Sequence, residues 1–268
     1  MSRTALAAFV LLATLTAGRT AAADLSSELT ALGSTPGRKW LAWEVPATPE
    51  GSQLCCFDQR SSAARGCRLD ERLGNWGNRD DARFPAGSPL AIYVAVERGR
   101  IERLLAVSAS CPVDDRGESV RRLADVAPAA SVELLAGLAR RWRDDLSDLA
   151  LAALGHHAEA AATAALAGFA RDRTADSELR EQAIFWLGVL RGAEGLAELQ
   201  RLLTERPAGD LAEHTVFAIA QNPGGTEVLL ALVRRPEVAI EVRRQALFWL
   251  GQSDDPRALE EISRLLAR

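Results

Sequence analysis

Apolar positions along this chain change their period near residue 128. Ahead of that point they fall in short dense blocks: KWLAWEV at 39–45, LAIYVAV at 90–96 and IERLLAVSAS at 101–110. Short apolar or β-branched blocks bounded by glycine and proline read as strands. The last two blocks are joined through ERGR and predict a hairpin turning at Gly99. Pro46 and Pro49 stop the first block, and Cys111-Pro112 stops the last. A short helix is expected at Leu25 to Leu32, closed by Gly33, while residues 50–89 lose periodicity and read as loop. An antiparallel β unit is therefore expected over 24–127.

After residue 128 the spacing becomes helical. Pro128 suits the first position of a helix, and Leu134, Leu135, Leu138 and Trp142 share one face of it. The segment ELREQAIFWLG at 178–188 then recurs as EVRRQALFWLG at 241–251, identical at eight of eleven positions after a step of 63 residues. Weaker copies end at Gly155 and Ala220, so the steps are 33, 32 and 31 residues. Each copy predicts a helix closed at the Gly155, Gly188, Ala220 or Gly251 position, where glycine can adopt a left-handed cap. A second helix follows each turn. Its apolar positions superpose at the same offset, Leu196, Leu199, Leu202 and Leu203 onto Leu259, Ile262, Leu265 and Leu266. A period of this length is the signature of stacked helical hairpins.

The motif Val242-Arg243…Ala246-Leu247…Leu250-Gly251, and its copy Leu179-Arg180…Ala183-Ile184…Leu187-Gly188, resembles the short bacterial HEAT repeat. The resemblance covers about 145–268 and implies an α-solenoid of about four hairpins serving as a binding scaffold. It also implies that the second helices line a concave docking face. The fold class expected for the whole chain is thus α+β, a small disulfide-braced β domain at 24–127 followed by a HEAT-like solenoid at 128–268.

Composition adds a compartment. Arg3, an apolar run from Ala5 to Ala17, and Ala21-Ala22-Ala23 before Asp24 read as a secretory signal over residues 1–23. The four cysteines, Cys55, Cys56, Cys67 and Cys111, lie in the first half of the chain, and an even count in an exported protein predicts disulfides. Bridging the adjacent pair would strain the backbone, so one of Cys55 and Cys56 is expected to join Cys67 and the other Cys111. The spacing is not that of a zinc site. The net charge of −4 gives no reason to expect nucleic acid as a partner, and no segment of the mature chain is expected to span a membrane.

Candidate chemistry is sparse. Histidines are limited to His156, His157 and His214, of which the first two read as solvated turn residues and the third as a helix flank. Asp80-Asp81 and Asp114-Asp115 are spaced like turn formers. There is no nucleophile elbow and no phosphate loop, so no catalytic residue, metal or cofactor is expected. Two partner-binding candidates stand out. Phe185-Trp186 and Phe248-Trp249 repeat one aromatic dipeptide, with Phe217 between them, and adjacent helical residues lie about 100° apart, so one stripe cannot bury both equally well; they read as exposed anchors or, alternatively, as rings packed between neighbouring repeats. Glu198 and Arg201 repeat as Glu261 and Arg264 on the second helices, where the resemblance places the docking face; the alternative is a solvated ladder of i,i+3 ion pairs. The expected function is an exported, non-catalytic scaffold for a protein or peptide partner. Its last hairpin, with no evident polar cap, is expected to be covered by a partner or a second copy. The alternative is a β unit with its own enzymatic or ligand-binding activity and accessory repeats.

Overall fold

A computed structural model describes residues 24–57, 65–69, 76–78, 85, 87–141, 145–205 and 210–267. The signal-like segment 1–23, Asp80-Asp81 and Trp142 lie outside the described residues. The Asp24 carboxylate accepts from the Ser26 amide and starts α1 (Leu25–Gly33). Among the described residues eight strands follow: β1 (Lys39–Val45), β2 (Leu54–Cys56), β3 (Cys67–Arg68), β4 (Trp76–Asn78), β5 (Leu90–Glu97), β6 (Arg100–Ser108), β7 (Val113–Asp114) and β8 (Val120–Arg122).

The hairpin forms where periodicity places it. Glu97 pairs with Arg100, and the two residues between them, Arg98 (φ 53°) and Gly99 (φ 74°), are both left-handed, as a two-residue primed turn demands. The main sheet has the order β6-β5-β1-β8. Its first three strands are antiparallel, but β8 lies parallel to β1 after a long return through 109–119. The sheet is consequently mixed rather than purely antiparallel.

Strand alternation divides the core in two. Leu41, Trp43, Val45, Leu90, Ile92 and Val94 point to one face, and Trp40, Ala42, Ala91, Tyr93 and Ala95 to the other. Both faces are covered, which explains why β1 and β5 read as nearly continuous apolar runs. The second face is closed by Cys55, Cys56, Phe57 and Leu69 together with two disulfides, Cys55–Cys111 and Cys56–Cys67, with Cα separations of 5.4 and 5.1 Å. Of the two arrangements left open by sequence, this is the one adopted, and all four sulfurs are bonded.

The first face packs on helices. These are α2 (Pro128–Ala139), α3 (Asp145–His156), α4 (Ala160–Arg171), α5 (Ser177–Leu190), α6 (Gly192–Glu205), α7 (Asp210–Gln221), α8 (Gly225–Arg234), α9 (Ile240–Gly251) and α10 (Pro256–Leu266). Pro128 and Pro256 occupy first-turn positions, and the Asp255 carboxylate caps the last helix. Helices α3, α5, α7 and α9 pack side by side in chain order, and α4, α6, α8 and α10 pair with them on one side. One apolar cluster runs from Leu41, Trp43 and Ile92 through Leu135 and Leu151 to Leu250 and Ala258, so the core crosses residue 128 without a break. At the crossing, the Trp43 indole donates to the Ser131 hydroxyl at 3.0 Å, which satisfies both buried groups. No helix among the described residues is long and apolar enough to cross a membrane.

The glycines at the repeat positions do not serve as left-handed caps. None of Gly155, Gly188 and Gly251 has positive φ; each is helical. A Cβ at Gly155 would lie 3.0 Å from Leu190 Cδ1 and 3.2 Å from the Trp186 ring, and one at Gly188 would lie 2.3 Å from the Ala218 carbonyl oxygen. At these two sites glycine permits close approach of the next helix.

Candidate partner-binding face

The aromatic dipeptides are not separate anchors but rungs of one ladder. Its rings follow in the order Trp76, His156, Trp186, Phe185, Phe217, Trp249, Phe248, with successive centroids 5.0–6.4 Å apart. Most meet edge-on or tilted, while Phe185 and Phe217 stack at 15°. Both arrangements suit the ring quadrupole. The ladder arises because each dipeptide sits at the same height on α5 and α9, with Phe217 of α7 between them. One ring of each pair reaches back and the other forward, as a 100° offset requires. Phe185, Trp186, Phe217 and Trp249 are half-buried, and Phe248 at the end is 55% exposed. The rungs therefore hold neighbouring hairpins together and still present ring surface to solvent.

The charged candidates lie on the other layer and are occupied within the chain. Glu198 of α6 is clamped between Arg171 of α4 and Arg201 one turn along, and Arg171 also reaches Glu205 at 3.3 Å. Sixty-three residues later Glu261 is clamped in the same way between Arg234, at 2.9 Å, and Arg264. The Glu261 side chain is 2% exposed. Burial would push its carboxyl up, but hydrogen bonds from Arg264 and Arg234 outweigh this and hold it below the usual glutamate range. Burial likewise opposes the charge on Arg171, and Glu198 and Glu205 outweigh it, raising that guanidinium. These residues act as staples between successive second helices. Arg201 keeps most of its side chain, 65%, in solvent.

Sequence reasoning missed the turn after α3. His156 and His157 are buried, not solvated, at 3% and 0% exposure. The segment after β1 folds over them: the Thr48 amide donates to the His156 carbonyl, and the Ala158 amide to the Pro46 carbonyl. The His156 ring lies between Trp76 from the β region and Trp186 from α5. Burial drives both imidazoles down to about 4, aided at His157 by the nearby Arg191 charge. Arg191 is itself buried and donates to the carbonyls of Gly155, His157 and Glu159 and to the Thr163 hydroxyl, so it caps the end of α3 from the following hairpin. Asn222 repeats the device one hairpin later by donating to the Gly188 and Gly192 carbonyls at 3.0 and 2.9 Å. The available signal was the recurrence of a polar residue after each first helix, Arg191 and then Asn222.

Other candidates resolve simply. His214 lies 3.3 Å from Glu181 on the neighbouring helix. Asp114 and Asp115 accept from the Arg116 and Gly117 amides, forming the turn that their spacing suggests. A groove between α1, the hairpin tip and α2 is lined by Leu29, Val96, Ile101 and Leu138 with Arg100 and Arg141, and it gathers no acid–base pair. Against known proteins, the chain matches no family model and no curated protein.

Proposed function

We propose that this protein is an exported, non-catalytic interaction scaffold, a HEAT-like solenoid capped by a disulfide-braced sheet, that holds a protein or peptide partner along its aromatic ladder. The partial exposure of Phe185, Trp186, Phe217, Trp249 and Phe248 carries this reading, because large rings kept at a surface are the residues that dominate binding energy. The rings favour a segment rich in apolar, aromatic or arginine side chains. Two-layer packing of helical hairpins and the 63-residue recurrence of the Arg–Glu–Arg clamps support the solenoid. The signal-like start and the paired cysteines support export. Because the clamped Glu198 and Glu261 already have partners, the ladder is preferred over the charged layer as the docking face.

The test places a photo-crosslinking side chain at Phe217, at Phe248 and, on the opposite layer, at Arg201, in the exported protein within its native envelope. Adducts to one protein from both ladder positions, and none from Arg201, are the expected result. Adducts from Arg201 alone would move the site to the charged layer, and no adduct from any position would overturn the scaffold reading.

A further inference from the structure

The ladder ends on a surface that no described residue covers. In α5 and α6 the outward side is covered by the next hairpin. Phe217 stacks on Phe185, Ala218 crosses Gly188 at backbone contact, Gly224 sits over Leu196, and His214 pairs with Glu181. Add 63 to each covered residue and the same side of α9 and α10 appears, with no described residue packed over it. Ile184 and Leu199 are 1% and 0% exposed, whereas Leu247 and Ile262 are only partly buried. Leu196 is partly buried, whereas Leu259 is 68% exposed. A Cβ at Gly251 would meet only Ile262 of its own hairpin, at 3.9 Å. Among the described residues, all the large hydrophobic side chains that stand exposed belong to this hairpin: Ile240, Phe248 and Leu259.

We propose that the outer side of α9 and α10 is a homodimer interface, on which a second copy of this chain seats its own α9–α10 hairpin about a two-fold axis. Two observations select a second copy. Phe248 and Leu259 form an exposed apolar patch that a two-fold axis can set against the same patch of a second copy, burying both at once. The charges are also self-complementary. Arg244 occupies the position of Glu181, whose carboxylate bonds across to the next hairpin, yet Arg244 makes no ion pair within the described chain. Glu241 and Glu260 are exposed, flank Ile240 and Leu259, and make none either. A surface holding both unpaired signs can neutralise itself in an isologous contact. The dimer would set two aromatic ladders end to end through their Phe248 rungs. It needs no client, so its failure would leave the partner reading standing.

Sedimentation equilibrium of the exported protein tests this. Wild type is expected to behave as a dimer at about 100 µM and to dissociate on dilution. The Phe248→Arg/Leu259→Glu variant, altered only at exposed side chains and checked for an unchanged melting profile, is expected to dimerise at least about a hundredfold more weakly. Arg244→Glu is expected to weaken the dimer, and mixing it with Glu241→Arg/Glu260→Arg is expected to restore a mixed dimer. A wild-type monomer at the highest concentration would overturn the proposal. So would a dimer indifferent to both surface variants, or an open polymer. A monomer that associates only with a helix of another protein would give the surface to a different occupant and equally overturn it.

Discussion

His156 and His157 show how burial overrules local reading. Two histidines after a helix-end glycine, with polar neighbours, belong by local rules to a solvated turn. Their environment is set instead by Thr48 and Trp76, some 80–110 residues earlier, and by Trp186 and Arg191 on the following hairpin. No local pattern encodes that convergence. The consequence is a measurable pH dependence. With pKa values near 4 in the fold against 6.5 unfolded, both imidazoles stay neutral in the native state while the unfolded chain takes up protons. Stability is then full above pH 6.5 and falls as pH drops toward 4, on the order of 3 kcal/mol per histidine. Urea titrations at pH 7 and pH 4.5 are expected to show the loss. His156→Phe, which keeps a ring between Trp76 and Trp186, is expected to remove about half of it. An equal pH slope in that variant would refute the assignment.

At the scale of elements, the long helices and strands were legible and the short strands were not: β2, β3 and β4 lie in the stretch that reads as loop, and β7 and β8, two and three residues long, follow Cys111-Pro112 with no apolar alternation to mark them. Periodicity placed β1, the β5–β6 hairpin and the helices from α2 to α10, because each spacing matches its own geometry and no tertiary override opposed it. The glycines were legible as important but not for the right reason. A helix-end glycine serves a left-handed cap or a close helix contact equally well, and only the neighbouring helix decides between them. The same substitution at two repeat positions separates these roles. Gly188→Ala would force a methyl against the Ala218 carbonyl oxygen and is expected to destabilise by about 2–3 kcal/mol. Gly251→Ala meets no atom closer than 3.9 Å and, in dilute monomeric protein, is expected to be neutral or stabilising by up to about 1 kcal/mol. Thermal melts of the two variants side by side make the comparison. Equal effects would mean that neither glycine is there for helix contact.

For the whole molecule, the change of period at residue 128 marks a change of secondary structure while the apolar core passes through it. The sheet and α2 share Trp43, Val126, Val132 and Leu135, and α3 packs against β6. Calorimetry of the intact chain is expected to give one cooperative transition rather than separate events for 24–127 and 128–268. Two resolved transitions would show the shared core to be energetically divisible. The candidate site was half legible at this scale. The repeated Phe-Trp pairs announced an aromatic feature, but the ladder needs Trp76 and His156 to complete it, and neither belongs to the repeat.

The placement of the disulfides gives the molecule a mechanical direction. Cys55–Cys111 and Cys56–Cys67 lock residues 55–111 with covalent closures 56 and 11 residues apart in sequence, and nothing of the kind reaches beyond residue 111. Pulled from its two ends, the chain would pay out α10, then α9, and so on hairpin by hairpin, each rupture facing only nearest-neighbour contacts. The covalently closed segment 55–111, with the β5–β6 hairpin inside it, would remain as a post from which the helices uncoil and onto which they rewind. A load along the chain would thus meet a compliant spring on one side and a rigid mount on the other.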